Sequence, residues 1–146
     1  MEGKKMWVLI VLGGMILLSP VIAFNGASMG CYQTRIDKYP DSPSSKDWQL
    51  RLATIYYNSL RADKAGQCYK KFWQRYTDDP RRTLALERHA EIYEELGMKR
   101  EASEVWKVLA REYPDDNRGK LALAKLNNDY RMFTYDADPV LLENLP

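Results

Sequence analysis

Apolar residues fall into two kinds of stretch along this chain. Met6–Phe24 is one uncharged, strongly apolar run, preceded by Lys4 and Lys5. It has no polar face, so it does not read as a surface helix of a globular domain. Further on, apolar positions recur at helical intervals between charged ones. In Asp47–Leu60, Trp48, Leu52, Tyr56 and Leu60 fall four apart and predict one helix. In Asp63–Tyr76, Ala65, Tyr69, Phe72 and Tyr76 predict a second. Leu86, Ala90 and Tyr93 mark a third, and Ala102, Val105, Trp106, Leu109 and Tyr113 a fourth. Punctuation supports the division. Ser44 with Asp47 predicts a capping box. Asp79 is placed to cap a helix with Pro80 in its first turn, where the missing N–H is harmless. Gly97 predicts a stop in the left-handed conformation, and Tyr113-Pro114-Asp115-Asp116 predicts a break.

The pattern repeats. Tyr39, Tyr76 and Tyr113 each open a similar turn and are spaced by 37 residues. Tyr56, Tyr93 and Tyr130 keep the same step, as do Tyr32, Tyr69 and Trp106. Ala53 pairs with Ala90, and Ala65 with Ala102. Several registers sharing one period indicate a structural unit repeated along the chain. Each unit reads as a helical hairpin. The alanines let neighbouring helices approach, and the aromatics fill the space between units. One hairpin cannot bury its apolar stripe, but stacked hairpins share a continuous core.

Ala90, Tyr93, Gly97 and Ala102, followed by Trp106 and Pro114, resemble the tetratricopeptide repeat. Ala53, Tyr56, Leu60 and Ala65 follow the same pattern, with Leu60 where glycine is expected. The 37-residue step exceeds the family's usual ~34, and the extra residues are expected in the Tyr-Pro-Asp turn. That longer turn is similar to those of bacterial envelope members, including Tol-Pal-associated and outer-membrane assembly factors. The resemblance implies an all-α, short helical-hairpin solenoid of about six helices. A half unit is expected at 28–43, full units at 44–80 and 81–117, and a closing helix at 118–131. Residues 132–146 form a tail whose Val140-Leu141-Leu142 knot lies among acids; it is expected to dock against something.

For residues 1–27 three fates are consistent with the sequence. The apolar run is long enough to span a bilayer as an uncleaved anchor. It also has the layout of a secretory signal, with small residues before a cut after Ala23. A lipidated Cys31 is the third, on a weak lipobox in which Ser28 replaces the usual leucine. Each places the rest of the chain outside the cytoplasm, secreted into the periplasm or tethered by a single N-terminal helix.

The 146 residues suffice for one domain plus this segment, and the net charge of +2 implies no nucleic-acid partner. His89 is the one histidine, at a packing-type position, and has no ligand set. No phosphate-cradling loop, covalent-haem motif or calcium-loop spacing is present. The chain is therefore expected to be non-enzymatic, without cofactor, metal or small-molecule substrate. Cys31 and Cys68 also lie 37 apart, at equivalent points of successive second helices, a separation poorly suited to a disulfide. Function is expected on the concave face, which first helices line in tetratricopeptide proteins. Its residues would be Tyr57, Asn58, Leu84, Glu87, Glu91, Glu94 and Glu95, with Arg88 nearby. The acids recur every three to four residues and would form a negative strip for a basic or mixed partner segment. The expected role is a protein-interaction scaffold or accessory subunit of a membrane-associated envelope assembly. A structural subunit permanently buried in a large membrane complex is the other reading.

Overall fold

A computed structural model describes residues 26–134. The readings of residues 1–25 and 135–146, including the export segment and the Val-Leu-Leu knot, lie outside them. All regular structure among the described residues is helical: α1 (Gly26–Lys38), α2 (Pro43–Asn58), α3 (Ala62–Arg75), α4 (Arg82–Glu95), α5 (Lys99–Glu112), α6 (Asn117–Asn128) and the single turn α7 (Arg131–Thr134). None of these helices is long and apolar enough to cross a membrane.

The chain divides into two compact units at Pro40. In the first, α1 buries Met29 and Ile36 and leaves Tyr32 exposed, and Tyr39 just beyond it is exposed too. Tyr32 therefore does not repeat the buried packing of Tyr69 and Trp106, although it shares their register. Within α1, Thr34 donates to the Gly30 carbonyl and Gln33 to Asp37. Cys31 is an exposed thiol on this helix.

In the second unit each of α2 to α6 packs on the next, and α4 also touches α6. Ala53, Ala65, Ala90 and Ala102 are wholly buried, as their shared register requires of close-approach positions. Leu86, Trp106, Leu109, Ala122, Leu126 and Tyr130 join α4, α5 and α6 in one apolar cluster. Complete burial of Trp106 makes it a principal anchor, since burying a large side chain stabilises by about 2–3 kcal/mol. Cys68 is also buried, as a thiol in the α3 core.

The α2 stripe differs from expectation. Leu52 and Tyr56 are buried, but Trp48 is exposed and Leu60 is 95% exposed. Four-residue steps overshoot the 3.6-residue turn and drift around the helix. The face that packs is Ser45, Gln49, Leu52, Ala53 and Tyr56, which mixes steps of three and four. Gln49 is accommodated there because its amide donates to the Cys68 carbonyl at 3.2 Å.

Helix starts differ too. The helix α2 begins at Pro43 behind Ser42, and no side chain caps it; Ser44 instead lies 3.0 Å from Ser42 through their hydroxyls. Asp47 reaches across to Arg81 at 2.6 Å and does not complete a capping box. Asp79 makes the bond of a cap, but in the turn ahead of α4. Its carboxylate takes the backbone N–H and the guanidinium of Arg81, at 2.8–2.9 Å. Pro80 therefore lies in a turn, and α4 starts only at Arg82, whose N–H meets the Asp79 carbonyl. The equivalent Asp116 makes the same backbone bond, accepting from Arg118 N at 2.8 Å, and there the helix follows directly.

Helix stops are the same in both units. Gly97 N–H bonds the Glu94 carbonyl and Met98 N–H the Tyr93 carbonyl. Leu60 N–H bonds the Tyr57 carbonyl and Arg61 N–H the Tyr56 carbonyl. This stop needs a left-handed residue. Gly97 has φ +73, and Leu60 takes φ +57 in its place.

Candidate functional site

The first helices α2, α4 and α6 run side by side in the same direction, because cross-links join like ends. Asp47 and Arg81 meet near the starts of α2 and α4. Tyr57 donates to the Glu95 carboxylate at 2.6 Å near their C-terminal ends. Glu87 meets Arg118 at 2.8 Å and Glu94 meets Lys125 at 2.7 Å between α4 and α6.

These two interfaces occupy one register but are closed differently. Between α4 and α6 the links at Glu87 and Glu94 stand two helical turns apart. Between α2 and α4 those at Arg81 and Glu95 stand about twice as far apart along the chain. A cleft of about 370 Å³ opens between them, lined by Thr54, Tyr57, Asn58, Tyr69, Leu84, Arg88, Glu91 and Ile92. The 37-residue step gives the reason. Stepping back from Glu94 and Lys125 reaches Tyr57 and Arg88. The clamp of the second interface is replaced by a phenol and a guanidinium that bond elsewhere. Tyr57 bonds Glu95, while Arg88 bonds Glu91 on its own helix at 2.7 Å.

The expected site residues therefore separate. Tyr57, Asn58, Leu84 and Glu91 line this one cleft, with Arg88 beside them. Glu95 lies at its end, bonded to Tyr57. Glu87 and Glu94 face α6 through their ion pairs. Glu94 is an organising group of the fold. It accepts Trp106 Nε1 at 2.8 Å, the Tyr130 hydroxyl at 2.6 Å and Lys125 Nζ. Burial pushes its carboxyl up, but these donors outweigh burial and hold it below the usual range. All four acids have a partner, so the surface is a mixed one of phenol, amide, guanidinium and carboxylate.

Thr54, Tyr69 and Ile92 join the lining without having been expected. Tyr69 and Ile92 are buried side chains that form its floor. Tyr69 reads as core by its register, and it is core; one edge of it is also cleft wall. The bond to Glu95 raises the Tyr57 hydroxyl above its ordinary value, so the phenol remains a donor at neutral pH. Asn58 supplies an exposed amide able both to donate and to accept, which suits a peptide backbone.

His89 lies beneath this surface, not on it. Its Nδ1 accepts Trp73 Nε1 at 3.2 Å, and its ring packs on Tyr93 at 4.4 Å. Burial, with nearby Lys70, lowers its pKa to about 4, so it is a neutral core residue. Among the described residues no group of His, Cys, Asp and Glu is arranged to hold a metal ion.

No curated protein and no solved structure matches the chain significantly. Residues 49–79 and 84–116 each match the family model of the tetratricopeptide repeat. The first match covers most of α2 and all of α3, and the second most of α4 and all of α5. These two segments are thus similar to tetratricopeptide repeats, units that ordinarily serve as non-enzymatic protein-interaction modules.

Proposed function

We propose that this protein is an interaction scaffold whose α2/α4 cleft takes an extended segment of a partner protein. The carrying observation is the substitution of Tyr57 and Arg88 for the Glu94–Lys125 clamp. It leaves an opening between two first helices where the next pair is closed. The floor offers apolar contact through Tyr69, Leu84 and Ile92, and the rim offers Asn58, Arg88 and Glu91. A partner segment of mixed character fits such a lining, with a few buried anchors supplying most of the affinity. The finer part of the proposal is the setting: an accessory role in a membrane-associated envelope assembly. It rests on the apolar Met6–Phe24 run behind Lys4 and Lys5 and on the long Tyr-Pro-Asp turns.

The test is purification of the tagged full chain from detergent-solubilised membranes, alongside Tyr57→Ala and Arg88→Glu variants. Copurifying proteins are identified by mass spectrometry. A partner lost from both variants while helicity persists supports the cleft. Equal recovery with all three chains rejects it. A partner set drawn from soluble cytoplasmic proteins rejects the envelope setting and leaves the cleft standing.

A further inference from the structure

One edge of the solenoid carries a second surface, independent of the peptide cleft. Because α2, α4 and α6 run in the same direction, the turns that follow them lie along the same edge. Each turn exposes an apolar side chain with cations beside it. The first presents Leu60, with Arg61 and Lys64 following. The second presents Leu96 and Met98, with Lys99 and Arg100 following. Beyond α6 the short helix α7 presents Met132, 90% exposed, next to Arg131. Loop tips in soluble domains favour small and polar residues. The first two turns are built on the same backbone bonds, and both place apolar residues outward.

Leu60 makes the choice plainest. It holds a left-handed φ of +57 that glycine adopts without strain, as Gly97 does in the next unit. Its side chain is 95% exposed, so it contributes no packing to offset that cost. Within the chain a leucine here serves neither the turn nor the core.

We infer that this edge docks on an anionic bilayer surface, with Leu60, Leu96, Met98 and Met132 entering the interfacial layer and the flanking cations meeting headgroup phosphates. Apolar residues interleaved with Lys and Arg are what such a layer rewards. Four acids share the edge with the five cations, which leaves it slightly positive. Asp63 and Glu101 occupy the first turns of α3 and α5, where they complement the helix dipoles. Glu95 is bonded to Tyr57. Asp129 stands beside Arg131. The sequence adds an independent pointer to the same medium in the apolar Met6–Phe24 run.

The experiment places an environment-sensitive NBD fluorophore on the full chain at Leu60→Cys, Met98→Cys or Asp115→Cys, each in a Cys31→Ser background. Cys68 is buried and stays in place. Asp115 lies in the turn at the opposite edge. The labelled chains are reconstituted with phosphatidylcholine vesicles with and without phosphatidylglycerol. Probes at 60 and 98 should shift to the blue with phosphatidylglycerol, and the shift should shrink at high salt. The probe at 115 should report water throughout. Arg61→Glu with Arg100→Glu should remove the phosphatidylglycerol dependence. Flotation of the chain with water-like probes at 60 and 98 overturns the docking edge and leaves an N-terminal tether intact. Equal shifts at 60, 98 and 115 overturn it as well, since they show no preferred edge. A chain that does not float overturns both.

Discussion

The Glu94 carboxylate and Lys125 ammonium meet at 2.7 Å across α4 and α6, while Tyr57 and Arg88, one repeat earlier, turn to other partners. One position thus closes one interface and leaves the other open. Glu94 is also the acceptor for Trp106 and Tyr130, which ties the ion pair to the core of the second repeat.

Glu94→Ala should destabilise the domain by about 3 kcal/mol, because it strands the buried Trp106 N–H and the Tyr130 hydroxyl as well as Lys125. Glu94→Gln keeps an acceptor and should lose less. Urea unfolding followed by circular dichroism measures both, and equal stability of Glu94→Ala and wild type would remove the hub role.

Gly119 occupies the first turn of α6 where that helix presses on the end of α5. A Cβ built there would lie 1.7 Å from the Tyr113 carbonyl oxygen and 2.7 Å from its carbon. Backbone does not yield as a side-chain tip does. Gly119→Ala should therefore cost more than about 2 kcal/mol, despite alanine's better helix propensity. A thermal midpoint at or above wild type would contradict the close approach.

Leu60→Gly should stabilise the soluble fold by about 1 kcal/mol by relieving a left-handed leucine. The reciprocal change, Gly97→Ala at φ +73, should destabilise by a similar amount. The pair forms a matched test in equivalent turns, read by denaturant midpoints. Two changes of the same sign would show that the turns are not equivalent.

His89 predicts an acid-sensitive core. Its folded pKa of about 4 lies below the ordinary 6.5 because burial and Lys70 disfavour the cation. The unfolded chain therefore binds the proton first. Stability is complete above pH 6.5 and falls as pH drops from 6.5 to 4, by up to about 3 kcal/mol. His89→Gln keeps an acceptor for Trp73 and should flatten this window relative to wild type. Parallel slopes for the two chains would assign the acid loss to other groups.

Much of the fold was legible because it is periodic. A shared 37-residue step among tyrosines and alanines reflects one packing problem solved twice, and each of Ala53, Ala65, Ala90 and Ala102 is buried as that register implies. Gly97 was legible for a local reason: its backbone conformation is one that other residues adopt only under strain. Leu60 shows the limit of that rule, since the hydrogen bonds of the turn impose the same conformation on it. The helix starts were less legible. Asp79 accepts the Arg81 N–H as a cap does, but Pro80 and Arg81 form a turn and the helix begins only at Arg82.

The acidic face shows where one-dimensional pattern ends. Spacing places Glu87, Glu91, Glu94 and Glu95 on one helix, and that much follows from 3.6 residues per turn. Their partners come from Arg118, Arg88, Lys125 and Tyr57, three of them on other helices more than thirty residues away. A carboxylate's role depends on what stands within hydrogen-bonding distance, and spacing along one strand of sequence carries no information about that. The repeat, its hairpins and its close-packed alanines follow from the order of residues. Which interface is clamped and which is open follows from side chains brought together across α2, α4 and α6.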